Sequence, residues 1–338
     1  MLSLTAAGNF RTILPMKAFV TGGTGFIGSH LIDYLLAQGF QIFALVRNLN
    51  DLKWLKGKNI TFLEGDLFSI PSLPSDIDCV FHLAGLTKAF KSADYYTVND
   101  KGTASLFQSL VSQKVSPEKI IYLSTLAAAG PSIDGIAVKE EDIPHPITPY
   151  GKSKLKGEEE ALKHKDNFSV VIVRVGAVYG PRDKDFLRYF SLIKRGILPS
   201  VPPSQRIISF CYVKDLAKAL YLCSQKKLES GVIVNIADPK PFSWEEMGEA
   251  AGRFMKRKLK KITLPLPIMY ISALLYEATG ILTRKPSIFN RQKFKEIKQK
   301  GWVADVKKAE EKLTFRTEYS LEKAINETIQ WYIEHNWL

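Results

Sequence analysis

One stretch constrains this chain more than any other: Lys17-Ala18-Phe19-Val20-Thr21-Gly22-Gly23-Thr24-Gly25-Phe26-Ile27-Gly28. A short apolar run breaks into four glycines, and apolar residues then resume at helical spacing with Phe26, Ile27, Leu31, Leu35 and Leu36. The pattern predicts a strand, a tight turn and a helix. Glycine lets the backbone turn sharply and approach a pyrophosphate, while the N–H groups and positive end of the helix face the anion. Any tight strand-to-helix turn uses glycine, so the motif takes its meaning from its flanks. Here they meet the condition, and Gly22, Thr24, Gly25, Phe26, Ile27 and Gly28 are the expected contacts of a dinucleotide.

At 338 residues, 46% hydrophobic and 24% charged, the chain can bury an ample core in one or two domains. Three scattered cysteines, Cys79, Cys211 and Cys223, have no CxxC spacing. They argue against a disulfide framework or a metal site and for a reducing, cytoplasmic home. Each is expected as a small buried apolar residue. Residues 1–15 precede the first strand as an N-terminal extension without the apolar core of a signal peptide. The net charge of +13 is concentrated: residues 251–300 hold 13 Lys or Arg against two acids, Glu277 and Glu296.

The second strand, Gln41–Val46, ends at Arg47 with no acid beside it. An acid there suits the ribose hydroxyls of NAD and an arginine the 2′-phosphate of NADP, so NADP is the expected cofactor and NAD the alternative. A third strand from Ile60 delivers Asp66-Leu67, where Asp66 suits either an adenine amino group or the cap of a short helix. The buried strand Cys79–His82 runs into Leu83-Ala84-Gly85, small enough to leave room for the nicotinamide half. His82, inside an apolar strand, is expected as a satisfied core histidine rather than a catalyst. Tyr95–Leu110 reads as a helix carrying Asn99 in a structural role.

The chemistry is expected on the next strand and the helix beyond it. Lys119–Leu123 runs into Ser124-Thr125, and 25 residues past Thr125 comes Tyr150-Gly151-Lys152-Ser153-Lys154. Tyr150 and Lys154, four apart, share one helical face. A phenol with an ordinary pKa of about 10 is a poor base at neutral pH. A neighbouring ammonium favours the phenolate, so Lys154 makes Tyr150 usable in proton transfer. Thr125 or Ser124 can supply a hydroxyl that holds the substrate oxygen.

Thr21 to Gly28, Asp66-Leu67, His82 to Gly85, Ser124-Thr125, Tyr150 to Lys154 and Arg174 to Arg182, in this order, resemble the extended short-chain dehydrogenase/reductase family from Met16 onward. The resemblance implies a Rossmann-type doubly wound α/β fold with a parallel seven-stranded sheet over 16–238 and a smaller, mostly helical substrate domain over 239–338, with 186–206 adding to the substrate side. It also implies a Thr125–Tyr150–Lys154 catalytic set with Ser124 beside it, a bound NAD(P), a small-molecule substrate and a homodimer. Sugar-nucleotide members of the family carry an arginine before the strand ending in Val-x-Asp; here that position holds Ile208, with Arg206 two residues early. Arg182, Arg206 and Thr87 are candidate substrate contacts. The tail, Thr283 to Pro286 and Gly301 to Asp305, is similar to the 3β-hydroxysteroid dehydrogenase and dihydroflavonol reductase branches.

The apolar stretch Ile262–Leu282 is too interrupted by Pro265, Pro267 and Glu277 to span a bilayer comfortably. The favoured expectation is an ordinary packed helix of the substrate domain. The alternative is peripheral membrane contact through 262–300, or closure over an apolar substrate. No aromatic or groove-reading pattern accompanies the charge, so nucleic acid is not an expected partner. Residues 207–213 and 232–236 are both expected to re-enter the sheet, with Pro199–Ser204 as a loop. The chain thus reads as an NAD(P)-dependent oxidoreductase acting on a secondary alcohol or ketone; the alternatives are a nucleotide-sugar epimerase or dehydratase and a non-catalytic dinucleotide sensor.

Overall fold

The computed structural model describes residues 15–202, 206–283 and 290–338, without the side chains of 279–283. Strands β1 (Lys17–Thr21), β2 (Gln41–Val46), β3 (Ile60–Glu64), β4 (Cys79–His82), β5 (Lys119–Thr125) and β6 (Val170–Val175) form one parallel sheet. The chain leaves it through β7 (Ala177–Tyr179), β8 (Ile197–Ser200), β9 (Ile207–Ile208) and β10 (Phe210–Tyr212), and returns as β11 (Val232–Ile236). The spatial order is β11-β6-β5-β4-β1-β2-β3. Continuous apolar runs such as Val170–Val173, buried throughout, are what a sheet covered on both faces requires.

Helices α1 (Phe26–Ala37), α2 (Ser92–Tyr96), α3 (Gly102–Ser112), α4 (Leu126–Ala129), α5 (Pro149–Leu162), α6 (Asp185–Lys194) and α7 (Val213–Gln225) follow in turn. Leu31, Ile32 and Leu35 of α1 and Leu216, Ala219 and Leu220 of α7 cover one face of the sheet. Leu106, Phe107 and Leu110 of α3 and Ala161 of α5 cover the other. Because β3 and β4 lie on opposite sides of β1, the chain reverses direction there and opens a crevice at the carboxyl ends of β1 and β4.

The third core lies beyond that crevice. Here α6, α8 (Trp244–Phe254) and α12 (Leu321–Glu334) bring together Phe190, Met247, Ile325 and Tyr332. Short strands β12 (Phe242–Ser243) and β14 (Gly301–Trp302) flank β9, and β13 (Lys260–Thr263) pairs with β8. Helix α9 (Leu266–Thr283) leads to α10 (Arg291–Ile297), and α11 (Lys307–Leu313) sends Ala309 and Leu313 back into the core of the large sheet.

Four expectations are corrected. Residues 207–213 do not re-enter the large sheet: β11 occupies the edge beside β6, so β9 and β10 pair with β12, β14 and β7 instead. Pro199 and Ser200 are the end of β8 rather than a loop, while 203–205 lie outside the described residues. The helix expected over Tyr95–Leu110 starts earlier, and α2 joins α3 through a π-helical turn, Thr97–Lys101. The apolar helix packs along one side only: Met269 and Ala273 are buried, whereas Ile268, Ile271 and Leu275 are 54%, 56% and 63% exposed. All three cysteines are buried and unbridged.

Candidate active site

The glycine turn builds a cradle at the end of β1. Gly22 has φ +76°, and a Cβ there would lie 2.6 Å from the Ala84 nitrogen. At Gly28 a Cβ would strike the Gly22 oxygen at 2.2 Å, so only glycine lets α1 start this close to the turn. Gly25 caps α1 without a side chain, which leaves the first N–H groups, those of Phe26 and Ile27 among them, directed at the crevice. Thr24 and Gly25 lie exposed or half-exposed on this turn, and Arg47 is exposed where β2 ends. Asp66 is exposed and accepts from the Phe68 N–H at 2.8 Å, while Leu67 is buried against Gly102. An open cradle, an uncapped helix start and small residues at Ala84 and Gly85 fit a dinucleotide.

His82 closes the β4 end of this crevice from within. It is fully buried between Thr21 and Thr103, at 2.7 and 3.1 Å. Thr103 donates to the Asn99 carbonyl and so accepts from His82 Nε2–H; Thr21 accepts from the Ala84 N–H at 3.2 Å and so donates to Nδ1. Burial, aided by the Lys154 charge, lowers the imidazole to about 3, so the ring is a neutral bracket. Asn99, on the π-helical turn, holds the following loop: its Oδ1 accepts from Leu86 N at 2.7 Å, and its Nδ2 donates to Leu86 O and to Ser153 Oγ. Thr87 is thereby presented, exposed, on a loop also pinned by the Lys88–Asp185 ion pair and by Ala89 N–H on the Tyr95 hydroxyl.

Helix α5 starts at Thr148, which accepts from Gly151 N–H, with Pro149 preset in the first turn. That start places Tyr150 half-buried at the mouth and Lys154 buried one turn deeper. Thr125, at the end of β5, accepts from Ala127 N–H at 3.2 Å and hydrogen-bonds the Tyr150 phenol. Burial raises the Tyr150 phenol well above its ordinary value, the neighbouring Thr125 hydroxyl opposes this, and the Glu296 carboxylate adds to it. Lys154 Nζ donates to Leu123 O at 2.8 Å and lies 4.2 Å from the centre of the Tyr122 ring. Burial lowers it to about 7 against the pull of Glu158. The arrangement can deliver a proton from Tyr150, with the Thr125 hydroxyl beside it and Lys154 one turn deeper on the same helix.

Ser124 belongs elsewhere. Successive strand residues face opposite sides, and its hydroxyl donates to Glu158, which also grips Arg174 through two nitrogens in a wholly buried pair at 2.7 Å. Arg182 is likewise spent: it donates to Ser29 Oγ at 3.1 Å and to Asp33 at 2.8 Å and packs on Trp54, tying the chain after β7 to α1. The structure therefore does not offer Arg182 to a substrate. Arg206 is 7% exposed and donates one nitrogen to Pro202 O, leaving Nε and Nη1 without a partner among the described residues. Asn99, Ser153 and the Glu158–Arg174 pair support the site from behind. Of these only Arg174, a charge inside the apolar run Val170–Val175, stands out in the sequence.

Residues 18–237 match the NAD dependent epimerase/dehydratase family. The chain belongs to this family. Its relatives in it run different reactions. The chain is 28% identical over 326 residues to the ceramide reductase of Caulobacter vibrioides, covering 94% of this chain and 95% of that one. To human dTDP-D-glucose 4,6-dehydratase it is 26% identical over 346 residues, covering 95% and 91%. The solved UDP-glucuronic acid 4-epimerase of Bacillus cereus, in complex with NAD, shares the fold with a TM-score of 0.76 at 24% identity, over 96% of this chain and all of that one. The chain is an NAD(P)-dependent enzyme of the extended short-chain dehydrogenase/reductase type.

Proposed function

We propose that this enzyme is a reductase with a freely exchanging cofactor, moving hydride between a nicotinamide and a secondary alcohol or ketone carbon of an apolar small molecule. The observation that carries the proposal is the lack of the diphosphate grip: Ile208 stands at its position, and Arg182 is held by Asp33. The likeness to a ceramide reductase along nearly the whole of both chains supports it.

Gly22, Thr24, Gly25, Phe26, Ile27 and Gly28 would hold the pyrophosphate, Arg47 the adenosine 2′-phosphate of NADP, Asp66 and Leu67 the adenine, and Leu83, Ala84 and Gly85 the nicotinamide half. The nicotinamide supplies the hydride. Thr125, beside Tyr150, would donate to the substrate oxygen. Tyr150, protonated at neutral pH like any phenol and held more firmly so by burial, would give its proton to that oxygen as negative charge develops. The Lys154 cation would stabilise the phenolate left behind and would hold the cofactor ribose.

One observation favours a second reading. The unpaired Nε and Nη1 of Arg206 suit an anionic substrate such as a sugar nucleotide, which would make the enzyme an epimerase or dehydratase with NAD held through the cycle. Denaturing the purified protein, identifying any released nucleotide, and titrating NADH and NADPH by nicotinamide fluorescence separates the two. The proposal expects an empty site that prefers NADPH and loses that preference in Arg47→Asp. Tightly retained NAD with no preference for NADPH would replace it with the second reading.

A further inference from the structure

Helix α9 is turned inside out for a helix surrounded by water. Met269 and Ala273, four apart, face the protein. The opposite face, one helical stripe of Ile268, Ile271 and Leu275, lies open, and Leu264 and Leu274 extend it at 38% and 39% exposure. Contiguous exposed apolar surface of this kind marks a contact. The charge around it is one-sided. Lys256, Arg257, Lys258, Lys260 and Lys261 are exposed before the helix, and Lys295, Lys298 and Lys300 after it; of these Lys261 lies 3.8 Å from Glu245 and Lys300 3.6 Å from Asp134. The two acids of the region are both neutralised, Glu277 by Arg291 and Glu296 by Lys293.

We infer that α9 lies flat on an anionic lipid bilayer, its apolar stripe among the acyl chains and the flanking lysines and arginines on the headgroups. The complementarity of charge selects this occupant. A second copy meeting the same face across a two-fold axis would set one basic belt against another. A bilayer rich in phosphatidylglycerol or another anionic lipid attracts both belts while it covers the stripe. The helix lies on the surface and does not cross it: no helix among the described residues is long and apolar enough to span a membrane.

The lipid-facing helix is coupled to the mouth of the active site. Tyr270 of α9 packs on Phe294 of α10 with ring centres 5.3 Å apart, and Arg291 grips Glu277 through two nitrogens at 2.7 and 2.9 Å. On its other side α10 reaches the start of the catalytic helix: Glu296 Oε1 accepts from the Thr148 hydroxyl at 3.4 Å, two residues before Tyr150. Docking through α9 therefore sets the entrance beside the lipid surface. The inference concerns where the enzyme sits and stands whichever carbonyl or sugar it acts on.

The test is flotation of the full chain with vesicles of phosphatidylcholine alone and of phosphatidylcholine mixed with phosphatidylglycerol. The wild type is expected to float with the anionic vesicles, at least about tenfold more than with neutral ones, and to be released by high salt. The Ile271→Asn, Leu275→Asn double variant is expected to lose about tenfold or more of this binding, and so is Lys258→Glu, Lys298→Glu. Both should still bind nicotinamide cofactor, which shows them folded and separates this test from that of the reaction. Absence of flotation by a wild type that binds cofactor would overturn the inference. So would double-variant binding equal to wild type, or an apolar variant that turns a dimer into a monomer while vesicles bind neither form.

Discussion

The carboxyl ends of β5 and α5 and the outer surface of α9 obey one rule in opposite ways. Around Lys154 the buried polar groups are largely paired with one another: Ser124 and Arg174 on Glu158, Leu123 O on the lysine, and Thr21 and Thr103 on His82, with the Tyr122 hydroxyl and Arg174 Nη1 left over among the described residues. Along α9 the outward stripe of Ile268, Ile271 and Leu275 is apolar and more than half exposed among the described residues. The first region is fixed by internal pairing, whereas the second presents an apolar stripe that the described residues leave exposed. Rigidity at the first suits proton transfer, which tolerates little displacement. Openness at the second suits a surface that must engage and release.

The largest blow to the internal region is expected from Glu158→Gln. It leaves the Arg174 guanidinium, 1% exposed, without its counter-ion, and losing one member of a buried pair costs about 3–5 kcal/mol. Urea unfolding measures this; a change below about 1 kcal/mol would mean that the pair does not secure α5 to the sheet. Lys154→Met should act more gently and with a pH signature. The lysine is lowered from 10.5 to about 7 in the folded chain, so between those values the unfolded chain binds more protons and stability rises with pH. At and below about pH 7 the folded form bears the full cost of the buried charge. The variant should therefore lack this contribution, and its stability relative to wild type should be greatest near neutral pH and decline by about pH 9. A constant difference across that window would show that Lys154 is not desolvated.

The smallest effect belongs to α9. Ile271→Asn, Leu275→Asn should change stability by no more than about 0.5 kcal/mol per site, because exposed side chains contribute little to the folded state. A loss of several kcal/mol would show that the stripe is core after all, and the comparison between the two regions would fail.

The sequence made the nucleotide half largely legible because its signals are local: four glycines at a strand end, a four-residue spacing on one helix, and apolar runs broken by Asp66, His82 and Ser124. His82 could be read as a core residue from its neighbours alone. What stayed hidden depends on contacts distant in the chain. Nothing near residue 207 says that β11 already holds the sheet edge. Arg182 looks available until Asp33, 149 residues earlier, is seen beside it. Ser124 and Thr125 look interchangeable until the strand turns one towards Glu158 and the other towards Tyr150. Composition describes α9 as apolar, and only the fold shows which side of it is left uncovered.

Reduction through Tyr150 is decided by the stoichiometry of cofactor consumption. NADPH oxidation and alcohol formation are measured together over a panel of long-chain aliphatic and acyl-amide ketones, with wild type and Tyr150→Phe. One NADPH is expected to be consumed per ketone reduced, with a loss of about 10²–10⁴-fold in the variant while NADPH binding is retained. Epimerisation or dehydration of a sugar nucleotide on retained NAD, with no net consumption of either cofactor, would contradict it.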